Sequence, residues 1–317
     1  MSTKQLEEYR NSILDAMTEI SKYYVGNPET VVKIMAAVLS SGHVLLKDFP
    51  GIGKTFIVKL FARVMGMTSK RIQFTPDLLP SDIVGTKVWK QNLGEFQTIK
   101  GPVFANLILA DEINRAPPKT QSALLEAMEE RQVTIEGETM LLDRPFIVLA
   151  TQNPVELEGT YPLPEAQMDR FMIELTLGYP TNDIEVLRRR ISWQSDDPSS
   201  TASIMLDSKE LLEIQKYVES EIKVDKDILE YISEFAKCRT DERVLAGPSP
   251  RGLISLLRIS KAIAFIDGRD FVIPDDIKKV ARDVLGHRVI LKPELTLEDI
   301  DGERIVSEYL VKIQVPK

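Results

Sequence analysis

Cysteine is almost missing from this chain. Cys238 stands alone among 317 residues, so no intramolecular disulfide can form. Histidine is nearly as scarce: His43 and His287 are the two, which excludes a metal site built from several imidazoles. Neither has a carboxylate or cysteine constellation around it, and both read as structural. Long apolar runs are missing too. The longest candidate, Val31 to Leu39, is interrupted by Lys33 and falls well short of the ~18 residues of a membrane span. The N-terminus, MSTKQLEEYR, lacks the basic-then-apolar order of a secretory leader. These absences point to the reducing cytoplasm, without membrane insertion. Positive charge is in deficit: 40 Lys and Arg against 48 Asp and Glu give a net charge of −8, which argues against a generic nucleic-acid binder.

What is present is enough for a soluble core, with 43% apolar and 28% charged residues. The length fits two domains. Ile13, Met17, Ile20 and Tyr24 share helical spacing. Four short apolar runs follow, at 44–46, 107–110, 146–150 and 171–175, with helical patterns between them (Phe56, Leu60, Val64; Gln121 to Met128). Such runs predict a parallel sheet buried on both faces. Residues 86–89 and 95–99 alternate about Asn92-Leu93-Gly94, and residues 132–135 and 139–142 flank Glu136-Gly137-Glu138; both read as hairpin inserts. After Gly178-Tyr179-Pro180 the patterns become helical: Ile228 to Ala236, Leu253 to Ile266, and a helix with Pro274 at its first position. The polar stretch Ser195 to Thr201 reads as a mobile loop. The expected organisation is an α/β domain over residues 1–180 and an all-α domain over residues 181–317.

Phe49-Pro50-Gly51-Ile52-Gly53-Lys54-Thr55 lies between an apolar strand and a helical pattern, as a phosphate loop must. Glycines let successive N–H groups turn toward an anion, and the helix that follows adds the positive end of its dipole. Lys54 can reach β and γ phosphates, and Thr55 can ligate Mg²⁺. The full pattern has Gly six residues before the lysine; here that residue is Asp48. Asp111-Glu112 follow the run 107–110, where ligands bind in open α/β sheets. There Asp111 would hold Mg²⁺ through water and Glu112 would polarise the attacking water, unless the pair merely caps the next helix. Asn153, in Ala150-Thr151-Gln152-Asn153-Pro154, can reach a γ-phosphate or the water, although Asn-Pro is also an ordinary turn. Arg170 stands in PLPEAQMDRF and reads as either functional or a surface ion pair. Arg251 stands in the first turn of a helix capped by Ser249, where a cation opposes the dipole unless an anion is near.

The segments GPVFANLILADEINRAPPKTQSALLEAMEERQVT (101–134), FTPDLLPSDIVG (74–85), ATQNPVELEGTYPLPEAQMDRF (150–171) and SPRGLISLL (249–257) resemble those of MoxR-type AAA+ ATPases. The resemblance implies a P-loop αβα core with a five-stranded parallel sheet and a helical C-terminal lid. It implies ATP and Mg²⁺ as cofactors. Asp48 through Phe56, with Lys54 and Thr55 as the Walker A pair, would bind the phosphates. Asp111 and Glu112 would be the Walker B pair, Asn153 sensor 1, Arg170 the arginine finger, and Arg251 the sensor 2 arginine whose γ-phosphate contact closes the lid. Val25 and Gly26 would meet adenine. The two hairpins would be the helix-2 and pre-sensor-1 inserts. The resemblance further implies a ring, usually a hexamer, that remodels, activates or loads metal into partner proteins, often with von Willebrand factor A domains. A chelatase-type ATPase subunit and a slowly hydrolysing nucleotide-dependent scaffold are the alternatives.

Overall fold

The computed structural model describes residues 3–48, 51–92, 94–153, 159–180, 182–193, 197–295 and 300–316. Phe49 and Pro50, expected in the phosphate loop, lie outside them. Two helices come first. α1 (Thr3–Tyr23) buries Ile13, Ala16 and Ile20 on one face. α2 (Pro28–Leu39) starts with proline at its first position, behind Asn27, whose side chain accepts from the Glu29 N–H at 3.0 Å.

The core then runs β1 (Val44–Lys47), α3 (Lys54–Val64), β2 (Ser69–Gln73), α4 (Pro80–Val84), β3 (Gly85–Lys90), β4 (Glu95–Lys100), β5 (Leu107–Asp111), α5 (Pro118–Glu130), β6 (Gln132–Ile135), β7 (Glu138–Leu141), β8 (Ile147–Gln152), α6 (Glu165–Met168) and β9 (Ile173–Leu175). Five of these strands form one parallel sheet in the order β2-β5-β8-β1-β9. Side chains alternate across a strand, so a sheet covered on both sides needs apolar residues at every position. Leu107, Leu109, Ile147 and Leu149 face one cluster, and Ile108, Ala110, Val148 and Ala150 face the other, which packs on Leu124, Leu125 and Met128 of α5. Three expected runs therefore fall on β1, β5 and β8. Of the run 171–175 only the last three residues are strand, because the Phe171 N–H still closes the preceding turn on the Met168 carbonyl at 3.0 Å. No apolar run marks β2. It is an edge strand with Ser69, Lys70 and Arg71 exposed.

Both inserts are antiparallel hairpins. Trp89 pairs with Phe96 across β3–β4, and Lys87 meets Glu138 of the β6–β7 hairpin at 3.0 Å.

The later helices are α7 (Asp183–Trp193), α8 (Ser208–Glu221), α9 (Lys226–Glu234), α10 (Pro250–Ile266), α11 (Pro274–Leu285) and α12 (Gly302–Lys312), with a small ladder of β10 (Val244–Ala246) and β11 (Ile290–Leu291). Ser195 and Asp196 of the expected mobile loop lie outside the described residues. Its remainder is an ordered turn: Asp197 accepts from the Ser199 N–H at 3.2 Å, and Pro198 and Ser199 are buried. The helices after residue 180 share a core with the first two. The cluster under Val44 and Leu149 continues through Ile34 and Val38 into Leu256, Ile259 and Ile277. Gln215 Nε2 donates to the Val38 carbonyl at 2.7 Å, and Ser40 Oγ to the Arg258 carbonyl at 3.1 Å.

Candidate active site

The β1–α3 connection ends on two glycines in the left-handed region, Gly51 (φ 83°) and Gly53 (φ 87°), which only glycine adopts without strain. A Cβ at either would meet nothing within 4 Å, so conformation rather than crowding requires them. Gly53 is the cap residue of α3 and has no side chain to cap the first turn, as at helix starts that meet anions. Lys54 Nζ donates to the Asp48 carbonyl at 2.9 Å. Asp48 itself is buried. Its Oδ2 accepts from the Leu177 N–H and from the Gly178 N–H at 3.1 Å, and its own N–H is donated to the Gln152 carbonyl at 3.0 Å. The residue that departs from the glycine pattern thus ties the loop to the segment leaving β9.

β5 and β8 are neighbours, with Ala110 opposite Ala150, so Asp111, Glu112, Thr151 and Asn153 converge at the carboxyl edge beside the loop. Thr151, fully buried, joins the two acids. Its Oγ1 donates to Asp111 Oδ1 at 2.7 Å and accepts the Glu112 N–H at 2.8 Å. Asp111 Oδ2 accepts from Arg71 at 3.1 Å (Nε) and 2.7 Å (Nη2). Glu112 has left-handed backbone angles (φ 57°, ψ 50°), a conformation that costs a non-glycine residue roughly 1–3 kcal/mol and is found at functional sites. Its Oε2 accepts from Gln73 Nε2 at 2.9 Å and Arg115 Nη1 at 3.0 Å. Thr55, in the first turn of α3, and Asp111 carry side-chain oxygens, the donor type a Mg²⁺ site uses.

A recess of about 260 Å³ adjoins the loop. Tyr24, Val25, Ile52, Phe56, Tyr179 and Trp193 line it, a mainly apolar and aromatic wall suited to a planar base. Gly26 packs closely on Tyr24: a Cβ there would lie 2.3 Å from the Tyr24 hydroxyl oxygen.

Arg170 and Arg251 are not part of this cluster. Both bind one carboxylate, Glu129 at the end of α5: Arg170 Nε to Oε2 at 2.7 Å and Arg251 Nη2 to Oε1 at 2.5 Å. The arginines hold the Glu129 carboxyl below its ordinary range, Arg251 more than Arg170. They share a recess of about 230 Å³ with His43, Arg131 and Arg258. His43 precedes β1 and Arg170 precedes β9, so this recess lies at the amino edge of the sheet. Strands of four or five residues, at about 3.3 Å each, separate it from the Lys54 cluster by roughly 15 Å. α10 therefore delivers Arg251 to the end of the sheet opposite the Lys54 cluster. His43 is structural, as expected: Nδ1 accepts the Val148 N–H at 3.0 Å and Nε2 donates to the Met128 carbonyl at 3.2 Å.

Reading the sequence missed Arg71, Gln73, Arg115, Thr151 and Glu129. Thr151 stood inside a quoted motif, but its bridge between neighbouring strands appears only once their order is known. Arg71 and Gln73 lie on the strand that no apolar run marks.

A model of the "ATPase family associated with various cellular activities (AAA)" matches residues 43–173, and an AAA lid domain model matches residues 236–309. The protein YeaC of Bacillus subtilis is 46% identical over 304 residues, 95% of this chain and 94% of its own. Chaperone MoxR1 of Mycobacterium tuberculosis is 41% identical over 312 residues, 95% of this chain and 82% of its own. A crystal structure of a Cytophaga hutchinsonii protein assigned as an ATPase matches with a TM-score of 0.91 and 42% identity, covering 99% of this chain and 98% of that one. Likeness at this level over nearly the whole length, on a five-stranded core with a helical lid, means that the chain belongs to the MoxR family of AAA+ ATPases and is a chaperone-like ATPase.

Proposed function

We propose that the chain hydrolyses ATP with Mg²⁺ at sites shared between adjacent copies in a ring, six in number, and uses the cycle to remodel a partner protein. In this reading the N–H groups of Gly51 to Gly53 and the Lys54 ammonium hold the phosphates, and the recess beside Val25, Gly26 and Phe56 takes adenine. Thr55 and Asp111 hold the Mg²⁺, which neutralises charge on the β and γ phosphates. Glu112 orients the attacking water, and Asn153 contacts the γ-phosphate or that water. The carrying observation is the division of charged groups between two edges of one sheet. Asp111 and Glu112 lie at the carboxyl edge with the loop, while Arg170 and Arg251 lie at the other, meeting on Glu129. A cation about 15 Å from its own phosphate site cannot reach it, and in this reading both arginines serve a nucleotide bound by the next copy.

The core to residue 180, the lid from 181 and a cytoplasmic setting are part of the same reading. So is a partner carrying a von Willebrand factor A domain, activated or loaded with metal by the ring, with no role for nucleic acid. No helix among the described residues is long and apolar enough to cross a membrane.

The test compares Lys54→Ala with Glu112→Gln, using a fluorescent ATP analogue and phosphate release. Lys54→Ala should lose binding at least tenfold, whereas Glu112→Gln should bind as the wild type does and release no phosphate. Equal loss of binding in both would overturn these roles. Capture of a von Willebrand A protein by ATP-loaded Glu112→Gln from the source cell tests the partner; a captured set without such a domain rejects that part.

A further inference from the structure

Arg288 belongs to none of the roles above, yet it is the most heavily used side chain at the arginine edge. It follows α11 in a short 3₁₀ turn, and its side chain is 2% exposed. Its guanidinium has five N–H donors, and five acceptors meet it. Nε donates to Asp169 Oδ1 at 2.6 Å. Nη2 donates to the carbonyls of Asp169 at 3.1 Å and Phe171 at 2.6 Å. Nη1 donates to the carbonyl of Met172 at 3.2 Å and to that of Val284. Four of the five acceptors belong to the stretch 169–172, which carries Arg170. Next to Arg288, His287 Nε2 donates to the same Phe171 carbonyl at 3.1 Å.

The other carboxylate oxygen of Asp169, Oδ2, accepts from Ser249 Oγ at 2.9 Å, and Ser249 Oγ accepts the Gly252 N–H at 3.1 Å as the cap of α10. Asp169 therefore joins the stretch bearing Arg170 to the helix start bearing Arg251. Gly252 leaves room for the guanidinium stem: a Cβ there would stand 2.7 Å from Arg288 Cδ. Burying a cation costs several kcal/mol before its partners offset it, and an apolar side chain would fill the same space without that cost. What the planar fork adds is direction, because five fixed donors accept one arrangement of the loop.

We propose that Arg288, through Asp169 and Ser249, is a positioning residue that presents Arg170 and Arg251 as one rigid pair to the nucleotide of the adjacent copy. This rests on the reading that those two arginines act across the subunit boundary. The lid then sets the reach of the finger, and its lesion appears in the neighbour's site, not its own.

The experiment uses the full chain assembled with ATP, the variants Arg288→Lys and Asp169→Asn, and Arg170→Ala as control. Lysine keeps the charge but not the fork, and asparagine keeps the shape but not the charge. Each should bind the fluorescent ATP analogue within twofold of wild type, keep KM for ATP, and lose at least tenfold in kcat. Mixing either with Glu112→Gln should restore part of the rate, since the Glu112→Gln copies supply a correctly held Arg170 to sites whose own Glu112 is intact. If Arg288→Lys does not assemble, as native mass spectrometry would report, Asp169→Asn carries the test. An unchanged kcat in an assembled variant overturns the proposal. So does a lost kcat that mixing does not restore while Arg170→Ala with Glu112→Gln does recover. If that control pair itself fails to recover, the cross-boundary reading of Arg170 falls first, and this proposal with it.

Discussion

Arg71 places two N–H donors, Nε at 3.1 Å and Nη2 at 2.7 Å, on a single oxygen of Asp111, the Oδ2 atom. The acid proposed to hold the ion is thus already engaged by a cation from the neighbouring strand, and a bound ion would compete with the guanidinium for that carboxylate.

Arg71→Gln should lower the Mg²⁺ concentration that gives half-maximal ATPase rate. The arginine side chain is 51% exposed, so the pair is worth no more than about 1 kcal/mol and the shift should be about fivefold at most. A Mg²⁺ titration at fixed ATP reads it directly. A higher requirement in the variant would mean that Arg71 helps to hold the ion's site together instead.

Thr151→Val keeps the shape of a fully buried side chain but removes the hydroxyl that serves both acids. The Glu112 N–H and Asp111 Oδ1 each lose that partner, which should cost about 1–3 kcal/mol. Urea unfolding should show the loss, and Thr151→Ser should recover most of it. The ATPase rate should follow the same order.

Asp48→Gly restores the residue more usual in a phosphate loop, and here it should harm the protein. The Leu177 and Gly178 N–H groups would lose their common acceptor, at about 1–3 kcal/mol. Asp48→Asn, which keeps an acceptor oxygen, should lose less. A glycine variant as stable in urea as the wild type would show that water replaces the carboxylate without cost.

Burial, with the Arg131 charge nearby, pushes the His43 imidazole down to about 3. The folded protein therefore keeps it neutral, while the unfolded chain takes up a proton below about 6.5. Stability from this group is complete above that pH and is lost as the pH falls from 6.5 toward 3. The loss is about 1.4 kcal/mol per pH unit, or about 2 kcal/mol at pH 5. His43→Gln should flatten the pH dependence of the urea midpoint between pH 6.5 and 5. Parallel curves for the two proteins would contradict the assignment.

The central strands were legible because both their faces are covered, so β1, β5 and β8 carry apolar residues without a break up to their polar carboxyl ends. The edge strand β2 was not, since water meets Ser69, Lys70 and Arg71 and no hydrophobic demand falls on them. The missed partners of the acids, Arg71 and Gln73, stand on that strand for the same reason. Gly51, Gly53, Lys54, Asp111 and Glu112 could be singled out because phosphate chemistry would fix their types and their places after strands, and the fold gathers them at one edge of the sheet. The meeting of Arg170 and Arg251 on Glu129 depends on the direction of the strands and on where α10 starts, and no local pattern encodes either. Arg288 stands in the short His-Arg turn after α11, where a buried guanidinium looks like any surface arginine.

The Asp48 carboxylate has a metrical consequence. It fastens the start of the phosphate loop to Leu177 and Gly178, and the next two residues, Tyr179 and Pro180, belong to the wall of the aromatic recess. The two jaws that would grip opposite ends of a nucleotide are therefore bolted to one frame. Spreading them would break the hydrogen bonds on Asp48, so the protein itself resists a change in the span between them, as a stiff caliper does.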